Sequence, residues 1–198
     1  MEEKIINSCM KLVVENNTTL SQEEYEEIRY GLGTLWADLS KMIFIFIIAL
    51  FIGIISECLI FYTINSILRS QSFGVHAKTN SMCLIISTII FIGTPFIIIN
   101  YKFDIITKII ICIIGLISIY LYAPADTEKR PLLNEKKRNA FKTRSLIIGI
   151  IYSIIGLLLT TNTSNFYLMS LVISSIIINP ITYKLFGQKY NNYLKYEE

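Results

Sequence analysis

The sequence predicts an all-α protein, a polytopic integral membrane helix bundle preceded by N-terminal amphipathic helices. Three observations predict it. More than half of the 198 residues are apolar, 53%. They are gathered into long isoleucine-rich blocks with almost no charge, and roughly 20 such residues are what a helix needs to cross the hydrocarbon core. The Lys and Arg residues are concentrated in the connectors, where they set orientation in a membrane protein. The length fits one domain, 1–198, with amphipathic helices over 1–40 and membrane helices over 41–198. A net charge of +3 is modest and its distribution matters more than its sum, so no nucleic-acid partner is expected. The chain opens on two glutamates without a basic segment or a small-residue cleavage site, which argues against a cleavable signal peptide.

Residues 3–14 place Ile5, Ile6, Cys9, Met10, Leu12 and Val13 at helical spacing among charged neighbours, an amphipathic helix too short and too charged to span. Asn16 to Thr19 break it. Ser21 with Glu24 has the form of a capping box, and Tyr25, Ile28, Leu32 and Leu35 continue a second amphipathic helix. Membrane-spanning candidates follow at 42–64, 82–99, 105–122, 145–161 and 166–183. Glu57 is the one carboxylate inside any of these blocks, and a structural pairing with Arg69 is the favoured reading of it. Pro95 can kink or close its block, and 100–104 is short enough to be only a turn. Tyr120 and Tyr122 end the next block as interfacial aromatics do.

The longest polar connector is 123–144, with seven basic residues against three acidic ones, so the positive-inside rule assigns it to the cytoplasm. Parity then returns the connector before residue 82 to the same side, places 160–165 outside, and brings Lys184, Lys189 and Lys195 inside. If 42–64 crosses once, the first forty residues lie outside; if it crosses incompletely, or as a re-entrant element lined by Glu57, they lie inside beside that connector, which is the favoured reading. Membrane lipid is the expected surrounding.

The four cysteines, Cys9, Cys58, Cys83 and Cys112, have neither metal-site spacing nor a disulfide framework, and no metal or other cofactor is expected. Only Cys83 has a base near it in sequence, the single histidine His76. An imidazole can take a thiol's proton or hold the thiolate as an ion pair, and a helix beginning near Ser81 would favour negative charge in its first turn. Residues seven apart on one straight helix stand roughly 10 Å apart along its axis. The segment must therefore bend, and Gly74 with the run Lys78 to Ser81 is where it can.

Arg69, Gly74-Val75-His76 and Cys83, an apolar helix pair, and Ala123-Pro124-Ala125-Asp126 leading to Lys129-Arg130-Pro131-Leu132 before a basic loop together resemble the AgrB family, the accessory gene regulator B membrane peptidases. The resemblance covers nearly the whole chain. It implies a cysteine endopeptidase of the bacterial cell membrane that cleaves an AgrD-like propeptide and promotes its cyclisation to a thiolactone or lactone. Carried onto this sequence, Cys83 is the nucleophile and His76 the base, while Arg69, Lys129 and Arg130 match basic positions important for processing. Many members have Gly-Gly where this chain has Phe73-Gly74. The oligomeric state, monomer or homodimer, stays open. The competing reading is a small transporter or permease accessory with Glu57, Arg69 and His76 along a polar path. The absence of an internal repeat speaks against it.

Overall fold

The computed structural model describes residues 2–16, 20–77, 79–128, 131–159 and 161–196. It is an all-helical architecture; among the described residues the only extended pairing is an isolated parallel bridge between Phe73 and Ala125. The chain divides into two compact units, Met1–Ile48 and Ala49–Glu198.

In the first unit, α1 (Glu2–Asn16) is the expected amphipathic helix. Residues 17–19, where the break is expected, lie outside the described residues. The capping box forms as the sequence predicts: the Ser21 amide donates to the Glu24 carboxylate at 2.9 Å and the Glu24 amide to the Ser21 hydroxyl at 3.2 Å. It opens α2 (Gln22–Ile52), which continues the second amphipathic stretch directly into apolar sequence, so that Glu24–Ile52 is long and apolar enough to cross a membrane.

The block 42–64 is therefore not one helix. Gly53, at φ +81°, ends α2, with the Gly53 amide donating to the Leu50 carbonyl and the Ile54 amide to the Ala49 carbonyl. That is a Schellman closure, which needs a residue free to adopt positive φ. A separate helix, α3 (Ile55–Ser72), follows, and a single crossing over 42–64 does not hold.

The second unit is a bundle around α8 (Ser164–Ile178), the most completely buried helix. Packed on it are α3, α6 (Ile105–Tyr122) and α7 (Glu135–Leu158). The sidedness of α6 is that of a membrane helix. Its buried face is Lys108, Cys112, Gly115, Ser118 and Ile119, and its exposed face is isoleucine at 106, 109, 110, 113, 114 and 117. In water that arrangement would be inverted; in lipid, small and polar residues go inside because they allow close approach and hydrogen bonding. Close approach is literal at Gly156 of α7, where an added Cβ would lie 2.4 Å from a Leu168 methyl. Among the described residues, four helices meet the length and hydropathy of a membrane span: Glu24–Ile52, Asn80–Asn100, Ile105–Tyr122 and Glu135–Leu158. The shorter Ser164–Ile178 stops at Asn179-Pro180, before the expected limit of 183, and α9 (Pro180–Leu185) follows.

The span Asn80–Asn100 consists of α4 (Asn80–Thr88), a π-helical turn (Ile89–Gly93) and α5 (Thr94–Asn100). Pro95 has no amide to offer the Phe91 carbonyl. The Cys58 thiol donates to that oxygen instead, at 2.9 Å, which gives Cys58 a structural task. The turn at 101–104 is present, with Asp104 capping α6 through the amides of Ile106 and Thr107. The Thr107 hydrogen bonds hold the Asp104 carboxyl below its usual range.

Lys108 is an intramembrane charge that apolar-block reading passes over. It is buried, and its ammonium donates to the carbonyls of Gly156 (3.1 Å) and Leu159 (3.3 Å) and to the Ser164 hydroxyl (3.4 Å). The two carbonyls belong to the last turn of α7, beyond the reach of that helix's own amides, and the negative end of the helix dipole favours a cation there. Lys108→Met leaves those carbonyls buried without donors. The expected result is a loss of about 1–3 kcal/mol, read as a lowered thermal unfolding midpoint in detergent. An unchanged midpoint would show that the ammonium contributes nothing net.

Candidate active site

The end of the bundle opposite Lys108 collects the C-terminus of α3, the C-termini of α6 and α8, and the start of the basic connector. Parity expects the His76 connector and the basic connector on one side of the membrane. Here they are hydrogen-bonded to each other: the Gly74 amide donates to the Ala125 carbonyl (3.0 Å) and the Ala125 amide to the Ser72 carbonyl (2.9 Å).

After α3, Phe73 (φ +57°) and Gly74 (φ +123°) turn the chain out of helix and lead it into an extended segment. The Phe73 ring stands edge-on to Phe141 at 5.0 Å. Gly74 is buried against α8, where an added Cβ would come within 3.0 Å of the Ile177 carbonyl oxygen. Only glycine fits both that approach and that φ. The next amide, Val75, donates to the same Ile177 oxygen at 2.9 Å. Arg69, in the last turn of α3, reaches forward and donates from Nη2 to the Val75 carbonyl at 3.3 Å. Arg69 thus holds the loop that carries His76. His76 itself is exposed, and its main-chain carbonyl accepts from the side-chain amide of Gln188.

The chain is non-helical from Gly74 to Ala77, as the 76–83 spacing requires, and helix resumes at Asn80. Thr79 is the cap, with extended backbone and its hydroxyl accepting the Met82 amide at 3.2 Å. The Cys83 amide donates to the Thr79 carbonyl at 3.0 Å, which puts Cys83 at the end of the first turn of α4, partly buried. Cys112, by contrast, is buried with its sulfur 3.9 Å from the Ser153 carbonyl. His76 precedes the bend and Cys83 follows it, seven residues on, in the first turn of α4.

Glu57 does not join them. It lies in the first turn of α3 and Arg69 in the last, and twelve residues of helix separate them by about 18 Å, so the expected pairing is ruled out. The Glu57 carboxylate instead accepts from the neighbouring Ser56 hydroxyl at 2.7 Å. The same separation breaks the polar path of a transporter reading, because buried Phe61, Ile64 and Leu68 intervene on α3. Lys129 and Arg130, and Lys78 of the bend, lie outside the described residues.

Asp126 and Tyr183 are the residues that sequence reasoning overlooks. Asp126 enters there as the end of the Ala-Pro-Ala-Asp run and as one charge of a connector, with no structural task, yet it is buried and its carboxylate accepts the amides of Asn192 (2.8 Å), Tyr193 (2.9 Å) and Leu132 (3.4 Å). The Tyr183 hydroxyl lies within hydrogen-bonding distance of the Ala125 and Asp126 carbonyls, 2.9 and 2.8 Å. The signal available was the Ala-Pro-Ala-Asp run, whose Ala123 and Ala125 are buried and whose Ala123-Pro124 bond is cis.

A model of the accessory gene regulator B family, AgrB, matches residues 6–183. An AgrB-like protein of Listeria monocytogenes is 32% identical over 179 residues, covering 89% of this chain and 87% of the relative. An AgrB-like protein of Clostridium acetobutylicum is 30% identical over 184 residues, covering 91% and 88%. The accessory gene regulator protein B of Staphylococcus aureus is 27% identical over 169 residues, covering 85% and 89%. No solved structure matches the chain.

Proposed function

Because the chain belongs to the accessory gene regulator B family, with a part in agr quorum sensing, we propose that it is the membrane-embedded cysteine endopeptidase of that system, acting on an AgrD-like propeptide. The observation that carries the reading is the bend itself. One hydrogen-bonded strand presents His76, and the helix that starts four residues later holds Cys83 in its first turn.

In the proposed reaction the Cys83 sulfur attacks the scissile carbonyl carbon while His76 takes the thiol proton. The tetrahedral intermediate collapses, the C–N bond breaks, and His76 returns the proton to the leaving amine. The acyl group remains on Cys83 as a thioester. A thiol of the peptide's own cysteine then attacks that carbonyl, the Cys83 sulfur leaves and is reprotonated, and the product is a thiolactone. One thioester is exchanged for another, so ring closure is nearly isoenergetic, and a site at the membrane boundary limits capture by water. Direct closure from a peptide bond would be uphill. The test is co-expression with the precursor peptide and mass spectrometry of its products, using the Cys83 and His76 variants described in the Discussion.

As a multi-pass membrane protein, the chain is proposed to face the cytoplasm with its His76 and Cys83 end. The support is the basic surface of that end, from Lys136, Lys137 and Arg138 on α7 to Lys184 and Lys189. Cysteines introduced at 126–140 are expected to react with an impermeant maleimide only after cells are opened, and those at 160–165 in intact cells. The reverse pattern would invert the orientation.

A further inference from the structure

Residues 187–196 lie beyond the region matched by the family, which ends at 183, yet they are bonded to the candidate site. Helix α9 closes at Gly187 (φ +59°), with the Gly187 amide on the Lys184 carbonyl and the Gln188 amide on the Tyr183 carbonyl, a second Schellman reversal. The reversal brings the Gln188 side chain to the His76 carbonyl. The chain then passes along the 122–126 turn. The Tyr190 hydroxyl donates to the Tyr122 carbonyl at 3.0 Å. The Asn192 and Tyr193 amides end on the Asp126 carboxylate. The Arg138 guanidinium covers the Tyr193 ring at 3.9 Å.

We propose that this C-terminal segment is a positioning clamp for His76, in which Gln188 holds the His76 main chain and Asp126 anchors the segment that carries Gln188. The inference rests on His76 being the base. The extended 74–76 segment is tied to partners elsewhere in the fold: Gly74 to Ala125, Val75 to Ile177 and Arg69, His76 to Gln188. The Gln188 tie is the last of them, next to the imidazole. An ångström of drift in a proton-transfer group is enough to lower its effectiveness steeply. Gln188 touches neither thiol nor substrate and acts through the backbone of His76.

The test uses iodoacetamide on the purified full chain in phosphatidylglycerol vesicles at pH 7, with the rate of Cys83 alkylation read by peptide mass spectrometry. Cys58 and Cys112, both buried, report unfolding if they label. His76→Gln is expected to slow Cys83 alkylation about tenfold or more, because the thiol loses its base. Gln188→Leu is expected to slow it about threefold or more, Asp126→Asn to act in the same direction, and Gln188→Lys, which restores an N–H donor of similar reach, to return the rate to within about a factor of two. If Gln188→Leu exposes Cys58 or Cys112, the near-isosteric Gln188→Glu, which lacks the donor, carries the comparison. A slowed His76→Gln beside an unaltered Gln188→Leu overturns the clamp and leaves the dyad standing. An unaltered His76→Gln overturns the dyad, and the clamp with it. Slowing by Gln188→Leu that Gln188→Lys does not restore makes Gln188 a packing residue and also overturns the clamp.

Discussion

Cys83→Ala, co-expressed with the precursor peptide, is expected to yield uncleaved peptide only, a loss of about 10³-fold or more in processing. Cys83→Ser is expected to lose nearly as much, since an alkoxide is harder to generate than a thiolate and its ester does not exchange evenly into a thiolactone. His76→Gln is expected to fall by about 10² to 10⁴-fold while still folding, because its side chain is exposed and the loss is of proton transfer and not of packing. Cys9→Ala and Cys112→Ala should retain processing. Cys58→Ala should retain turnover but lose stability, since its thiol supplies the donor that Pro95 withholds from the Phe91 carbonyl. Replacing the ring-forming cysteine of the peptide by alanine should leave a hydroxylamine-labile adduct on Cys83 or divert the reaction to the linear acid. Cleavage that persists in Cys83→Ala would remove the protein from the cysteine peptidases.

Gly74→Ala is expected to have the next largest effect. At φ +123° an L-residue is strained by about 1–3 kcal/mol, and the new methyl would sit 3.0 Å from the Ile177 oxygen and 3.1 Å from its side chain. The strand cannot keep both the Gly74 bond to Ala125 and the Val75 bond to Ile177 with that methyl in place. His76 is then displaced from the bend, while the bundle of α3, α6, α7 and α8 retains its packing. Processing is expected to drop at least about tenfold with a near-normal size-exclusion profile. Full processing by Gly74→Ala would mean that the strand's attachment to α8 does not govern where His76 stands.

The expectation of Phe73-Gly74 as a turn was legible because positive φ and glycine go together locally. The same holds for the Ser21 and Glu24 box, the α4 start one residue before Ser81, and the helix over 105–122, while the helix expected over 145–161 runs Glu135–Leu158, beginning ten residues earlier inside the polar connector. The division of 42–64 was hidden. Apolar sequence runs unbroken through Gly53, and hydropathy cannot tell a helix that continues from one that closes on a Schellman turn. Pairing Glu57 with Arg69 failed because nearness in sequence is not nearness in space: along one helix, twelve residues are far apart.

By itself the sequence determined the class of protein and the order of its helices, and it set the expectations that the basic connector is cytoplasmic and that His76 and Cys83 act as a pair. These rest on composition, periodicity and short-range spacing, which act over a few residues and are written locally. Only the tertiary structure decided what Lys108, Asp126, Tyr183 and Gln188 do. Their bonds reach 48 to 56 residues from Lys108 to the end of α7 and the start of α8, 57 and 58 from Tyr183 to Asp126 and Ala125, 66 and 67 from Asn192 and Tyr193 to Asp126, and 112 from Gln188 to His76. A buried donor or acceptor must find a partner wherever the fold brings one, and no local pattern records which partner that will be.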